Sequence, residues 1–244
     1  MSNFETLIKN LESSDIDARI NAIEELGELG DPRAIDSLSK LLNDPIEQIR
    51  DCAIWNLGLL KAGDVLIGNL NHKLDSVRKY VIEVLGNIEE QAAVDPLIEL
   101  LKDPNDEIRA NSAWSLGKLE NKKAFEPLLK SLNDECSEVR ENSAWALGKL
   151  NDIRAIPFLL KAIYDPDEIV QNNAKESIEK IYQFLEDQEL SKKRSGVIYE
   201  CPAVNEFCKQ EKKNIKKYSD KNVIIEIKIN ENCKLGKICI VNLI

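Results

Sequence analysis

Along residues 3 to 185 the apolar positions recur at helical spacing, with no stretch of alternating apolar and polar residues. An arginine returns in each unit at Arg19, Arg50, Arg78, Arg109 and Arg140. Counted from it, positions −1, +3, +4, +7 and +10 are mostly apolar. At 100° per residue these gather on one side of a helix, and positions +2, +5 and +9 point the opposite way.

The punctuation of this pattern predicts a repeat. Gly27, Gly58, Gly86, Gly117 and Gly148 each follow the arginine by eight residues and are separated by 31, 28, 31 and 31 residues. Asp-Pro pairs at Asp31-Pro32, Asp44-Pro45, Asp103-Pro104 and Asp165-Pro166 mark breaks, with Asp available as a helix N-cap and Pro at the first helical position. They cut each unit into two helices, for example Ala124 to Leu132 and Glu138 to Leu150, followed by an Asn151-Asp152 loop. Six units are expected, beginning near residues 3, 32, 63, 91, 122 and 153. The sixth has Gln171 where arginine belongs and Glu179 where glycine belongs, which suits a terminal cap with a polar outer face.

Ala93-Val94-Asp95-Pro96-Leu97-Ile98, Asp103-Pro104, Ile108-Arg109 and Leu116-Gly117-Lys118-Leu119, echoed in neighbouring units, resemble the HEAT repeats in their short, phycobilisome-lyase-like form. The resemblance covers about three quarters of the chain. It implies an all-α, right-handed solenoid of about six two-helix repeats whose stacked second helices line the concave wall. It is nearly silent on function, because one such scaffold serves bilin lyase subunits, hydroxylases and binding proteins.

On that wall, position +5 reads Glu24, Trp55, Glu83, Trp114, Trp145, Glu176. Position +2 reads Asn21, Cys52, Tyr80, Asn111, Asn142, Asn173, and position +9 adds Leu59, Asn87, Lys118 and Lys149. All three tryptophans share one column, with Trp114 and Trp145 expected about one helix spacing apart, roughly 8 to 10 Å. Aromatic residues on a groove are the material of interface hot spots. The alternative is that each Trp lies flat across the next helix and completes packing. The candidate partner-binding residues are Trp55, Tyr80, Asn111, Trp114, Lys118, Asn142, Trp145 and Lys149. The arginines face the contacts between repeats, and aspartates recur six residues before them at Asp44, Asp103 and Asp134. An internal Arg–Asp ladder accounts for them better than an anion site, and the glycines then permit close helix approach.

Candidate chemistry is sparse. The only histidine, His72, reads as a loop residue and cannot supply the paired His-Glu motifs that the resemblance would require of a di-iron hydroxylase. No phosphate loop, nucleophile elbow or Cys-His pairing is present. A bilin-lyase-like reaction would need a groove thiol, for which Cys52 is the candidate, in surroundings too acidic to activate it.

Charge divides the chain. Of 33 Lys/Arg and 43 Asp/Glu, Ser191 to Ile244 holds 12 and 6, leaving 21 and 37, or −16, for residues 1 to 190. Such a body repels phosphate backbones, so nucleic acid is not expected as its partner; the basic tail escapes that argument. Without a leader-like N-terminus or an apolar run long enough for a membrane span, a cytoplasmic location is expected.

The organisation expected is a solenoid over 1–185, a charged linker over 186–196 and a small α+β appendage over 197–244. The appendage would have strands at Val197 to Tyr199, Val223 to Ile229 and Ile238 to Leu243 and a basic helix at Asn205 to Lys217. It holds Cys201, Cys208, Cys233 and Cys239. The run from Cys233 to Leu243 resembles a ferredoxin cluster-binding segment with Gly236 and Leu243 in place of the second and fourth cysteines. Four thiolates could close a zinc or iron–sulfur site, although neither pair has tight two-residue spacing. The reading is a non-catalytic scaffold that binds another protein, with no cofactor. A maturation or electron-transfer accessory carrying a metal or cluster on those cysteines, and a bilin-lyase-like enzyme, stand as alternatives.

Overall fold

The computed structural model describes residues 3–193, with side chains through 185, and the short segments 225–228 and 240–243. Residues 3–193 form six helix pairs: α1 (Asn3–Asn10) with α2 (Ile16–Leu29), α3 (Ile35–Lys40) with α4 (Glu47–Leu59), α5 (Gly63–Gly68) with α6 (Asp75–Asn87), α7 (Val94–Leu100) with α8 (Asp106–Leu119), α9 (Phe125–Ser131) with α10 (Ser137–Lys149), and α11 (Ile156–Ala162) with α12 (Glu168–Lys193). The expected unit starts fall on the observed ones. Strands β1 (Ile225–Lys228) and β2 (Ile240–Leu243) pair antiparallel, Ile225 opposite Leu243, within two of the expected strand segments. The expected strand at Val197 to Tyr199, the helix at Asn205 to Lys217 and the four tail cysteines lie outside the described residues. Helix α12 continues to Lys193, so the first part of the expected linker is helix.

Each second helix packs on its two neighbours along the stack, whereas consecutive first helices scarcely touch. The layer whose helices approach most closely is the inside of a curve, so the second helices form the concave wall. One continuous core of Leu, Ile, Val and Ala runs between the layers, with Ile54, Leu57, Leu85, Ile108, Leu116 and Leu147 fully buried. The glycines make the approach possible. A Cβ on Gly117 would lie 2.6 Å from a Trp145 ring carbon and 2.9 Å from the Ala146 Cα, and one on Gly148 would lie 2.9 Å from the Ser177 Cα.

Four 3₁₀ turns, Pro32–Ala34, Gln91–Ala93, Lys122–Ala124 and Ile153–Ala155, open the first helices of the second, fourth, fifth and sixth units. Asp31, Glu90, Asn121 and Asp152 cap them, each accepting the amide two residues on at 3.0 to 3.1 Å. Asp31-Pro32 thus acts as expected. The other Asp-Pro pairs do not cap a helix directly: α4, α8 and α12 start three residues after Asp44, Asp103 and Asp165. There the aspartate accepts the amide two residues on, at 2.9 Å in each case, and holds the turn that enters the helix.

The same aspartates, with Asp134, tie the units together. Arg19 pairs with Asp44, Arg78 with Asp103, Arg109 with Asp134 and Arg140 with Asp165. In the last two rungs Nε and Nη2 grip the carboxylate at 2.8 to 2.9 Å, while Nη1 donates to the carbonyl of the arginine's own unit, Asp103 or Asp134. Gln171 keeps only that inner bond, 2.7 Å to the Asp165 carbonyl. Among the described residues no aspartate of a following unit stands where the outer grip would be.

One rung is missing. Arg50 makes the inner bonds, 2.8 Å to the Asp44 carbonyl and 3.2 Å to that of Pro45, but the aspartate position of the third unit holds His72. His72 copies half of the carboxylate's work, its Nδ1 accepting the Leu74 amide at 3.2 Å while Nε2 contacts Asn43 Oδ1 at 3.2 Å. The buried Nε of Arg50 has no partner among the described residues. At this joint α4 and α6 also pack over less of their length than any other neighbouring second helices.

Candidate functional site

The tryptophan column is present and divided. Trp114 and Trp145 stack, ring centroids 6.3 Å apart and planes 10° from parallel. This is closer than the roughly 8 to 10 Å expected between packed helices. Trp145 also lies over Gly117 and against the core, so the packing reading describes its inner edge. Both rings remain half-exposed. The Lys118 ammonium sits 5.5 Å from the Trp114 centroid and that of Lys149 5.9 Å from the Trp145 centroid, cation–π contacts that hold each lysine above its own ring. Trp55 stands apart at 43% exposure beside Leu59 at 49%, because the next unit offers Glu83 and not a second ring.

Beyond Trp145 the face dips into an open pocket of about 440 Å³, lined by Trp145, Gly148, Lys149, Asn151, Lys180, Gln183 and Phe184. Lys180 and Phe184 were not among the expected site residues. Lys180 stands at position +9 of the sixth unit, in register with Lys118 and Lys149, so the repeat itself could have found it. Phe184 lies on the extension of α12 past the repeat, where no periodic signal reaches.

The polar candidates divide. Asn142 donates to the Ala110 carbonyl at 3.0 Å and Asn173 reaches Glu141 at 3.4 Å, so these two amides link repeats. Asn111 is half-buried, and its amide has no hydrogen-bond partner among the described residues. Lys149 pairs with Glu120 at 3.0 Å. Tyr80 packs on the core, and burial followed by Glu83, Asp51 and Cys52 raises its phenol above the usual value. Toward the N-terminal ends of the second helices the face is crowded with acid. Burial with Glu47 raises the Asp51 carboxyl, and burial with Glu138 and Asp167 raises that of Glu141. Burial, then Glu24, pushes the Cys52 thiol up to about 11, leaving almost no thiolate at neutral pH.

Among the described residues no group of three His, Cys, Asp or Glu side chains is placed to hold a metal, and no helix is long and apolar enough to cross a membrane.

Helix pairs stacked through glycine contacts and an arginine–aspartate ladder define an α-solenoid repeat protein. The family model for HEAT repeats matches residues 4–73, 63–136 and 102–179, and the chain belongs to that family. Among solved structures it is similar to a designed armadillo repeat protein in complex with the peptide (KR)4, at 23% identity and TM-score 0.54, covering 74% of this chain and 100% of that one. It is also similar to the complex of CpcE and CpcF of phycocyanin lyase from Nostoc sp. PCC7120, at 24% identity and TM-score 0.51, covering 71% of this chain and 75% of that one. An engineered protein matches at 20% identity and TM-score 0.53, covering 74% of this chain and 99% of that one. These likenesses concern the fold. No curated protein matches significantly.

Proposed function

We propose that this HEAT-repeat solenoid is a protein-binding scaffold whose concave face grips a partner through Trp55, Trp114 and Trp145, with Asn111, Lys118 and Lys149 orienting it and Tyr80 and Asn142 shaping the wall. The observation that carries this is the half-exposed Trp114–Trp145 stack with its two lysines. Two large rings already fixed against Gly117 and each other lose little entropy when a partner covers them. Solenoids of this fold are seen holding a peptide or a second protein chain, as the designed armadillo complex and the CpcE–CpcF pair illustrate. The Cys52 thiol, pushed up to about 11, is a poor nucleophile, which argues against a reaction at the groove.

The test is a Trp114→Ala, Trp145→Ala double variant, checked for intact helicity by circular dichroism. It is compared with the parent for capture of partners that the parent retains reproducibly. Loss of those partners is expected, and undiminished capture by the folded variant would defeat the reading.

A further inference from the structure

The face is not uniform in charge. Successive second helices carry Lys118, Lys149 and Lys180 at one register position, in a body whose residues 1 to 190 sum to −16. Earlier units have Glu28, Leu59 and Asn87 there, so the lysine edge belongs to the last three units alone. Glu138, Glu141 and Asp167 of these units collect at the opposite edge, close enough to raise the Glu141 carboxyl, while Glu120 lies beside Lys149 and Glu176 stands at position +5 of the sixth unit. Between the two edges lies an aromatic floor of Trp114, Trp145 and Phe184, deepened by the 440 Å³ pocket. Lys118 and Lys180 have no carboxylate partner among the described residues. Lys149 has Glu120, an exposed pair of the kind worth about 0 to 1 kcal/mol and readily exchanged.

We propose that the last three units select an extended acidic segment of a partner protein. Its carboxylates meet Lys118, Lys149 and Lys180, and apolar side chains between them lie on Trp114, Trp145 and Phe184. Spacing supports this as well as charge. Packed helices stand roughly 8 to 10 Å apart. A polyproline II segment turns once every three residues with a rise of about 3.1 Å, so one face returns about every 9 Å. An acid at every third residue therefore keeps step with the lysine column, and the residue after it turns toward the rings.

This rests on the binding face proposed above and goes further by fixing the partner's chemistry. The probe is a fluorescein-labelled (Glu-Leu-Pro)3 peptide, read by anisotropy against the full-length protein, with (Lys-Leu-Pro)3 and a block-scrambled peptide of the same composition beside it. The expected result is saturable binding of (Glu-Leu-Pro)3, weakened by added salt, with each control at least about tenfold weaker. The Lys118→Glu, Lys180→Glu variant should lose at least about tenfold in affinity. Equal or tighter binding of (Lys-Leu-Pro)3 overturns the proposal, since it points to a basic occupant such as the chain's own residues 191 to 244. So does an unchanged affinity in the lysine variant. Failure here is separable from failure of the scaffold reading: if Trp114→Ala, Trp145→Ala loses its captured partners while the lysine variant keeps them, the face binds protein and the acidic selectivity is wrong.

Discussion

Replacing His72 by aspartate should stabilise the protein, because it completes a ladder that the other joints already show. In the Arg109–Asp134 and Arg140–Asp165 rungs the carboxylate takes Nε and Nη2 at 2.8 to 2.9 Å and a turn amide at 2.9 Å. An aspartate at 72 meets the same three donors: the Leu74 amide, now on the imidazole, and the Arg50 Nε and Nη2. Giving the orphaned Nε a charged acceptor is worth about 1 to 3 kcal/mol. The lost contact with Asn43 offsets about 1 kcal/mol, and solvent screening at this half-exposed site trims the ion pair further. The net expectation is about 1 to 2 kcal/mol, a rise in melting temperature of about 2 to 8 °C for a body of this size.

The same substitution removes a pH dependence. Partial burial, then the charges of Lys73 and Arg50, hold the His72 imidazole below its ordinary value. The folded protein therefore binds its proton less readily than the unfolded chain. Stability is complete above the unfolded value, about 6.5, and is lost as the pH falls below it. Protonation also turns Nδ1 into a donor and breaks its bond from the Leu74 amide at the start of α6. Thermal melts between pH 7.5 and 5.5 should show a decline in the parent that His72→Asp lacks. An Arg50→Met background should abolish the gain, which isolates the pair. The reasoning fails if His72→Asp leaves the melting temperature unchanged at pH 7, or raises it equally without Arg50.

Gly117→Ala should cost about 1 to 3 kcal/mol by forcing α8 and α10 apart, and should weaken the near-ultraviolet circular dichroism of the Trp114–Trp145 stack; an unperturbed stack would contradict the close approach. Asp134→Ala strands the Arg109 guanidinium at 10% exposure and frees the Cys136 amide, and should lower stability by about 2 to 4 kcal/mol in urea titrations, more than an exposed pair such as Lys102–Glu99 ever could. With its thiol pushed up to about 11, Cys52 should react with iodoacetamide at pH 8 about 100-fold more slowly than a free cysteine, as mass spectrometry of the labelled peptide would show.

What the sequence reveals of this molecule depends on whether a residue's partner is also periodic. The glycines meet one register position of the next second helix and the arginines, Arg50 apart, an aspartate of the next unit, so their spacing together with the aspartate breaks places six unit starts and the ladder. Asp44, Asp103 and Asp165 are harder. The sequence marks a break at each, but an aspartate that accepts the amide two residues ahead looks the same whether that amide opens a helix or a turn. Asn142 is harder again: its angle on α10 says that it faces outward, and only the height of α8 beside it puts the Ala110 carbonyl within 3.0 Å.

Departures from the period are therefore informative in a way that conformity is not. Gln171 departs in the last described unit, and its single remaining bond shows the arginine's inner role separated from its outer one. His72 departs in mid-stack, where a partner is waiting. At position +5 the column alternates between Glu and Trp until Trp114 and Trp145 fall in consecutive units, the one place where two rings can stack. Packing between units demands arginine, glycine and leucine; at position +5 it takes the inner edge of Trp145, and at +9 only the exposed Lys149–Glu120 pair. In the binding reading proposed above, the outer faces of Trp114 and Trp145 and the lysines at +9 are what these units leave for a partner.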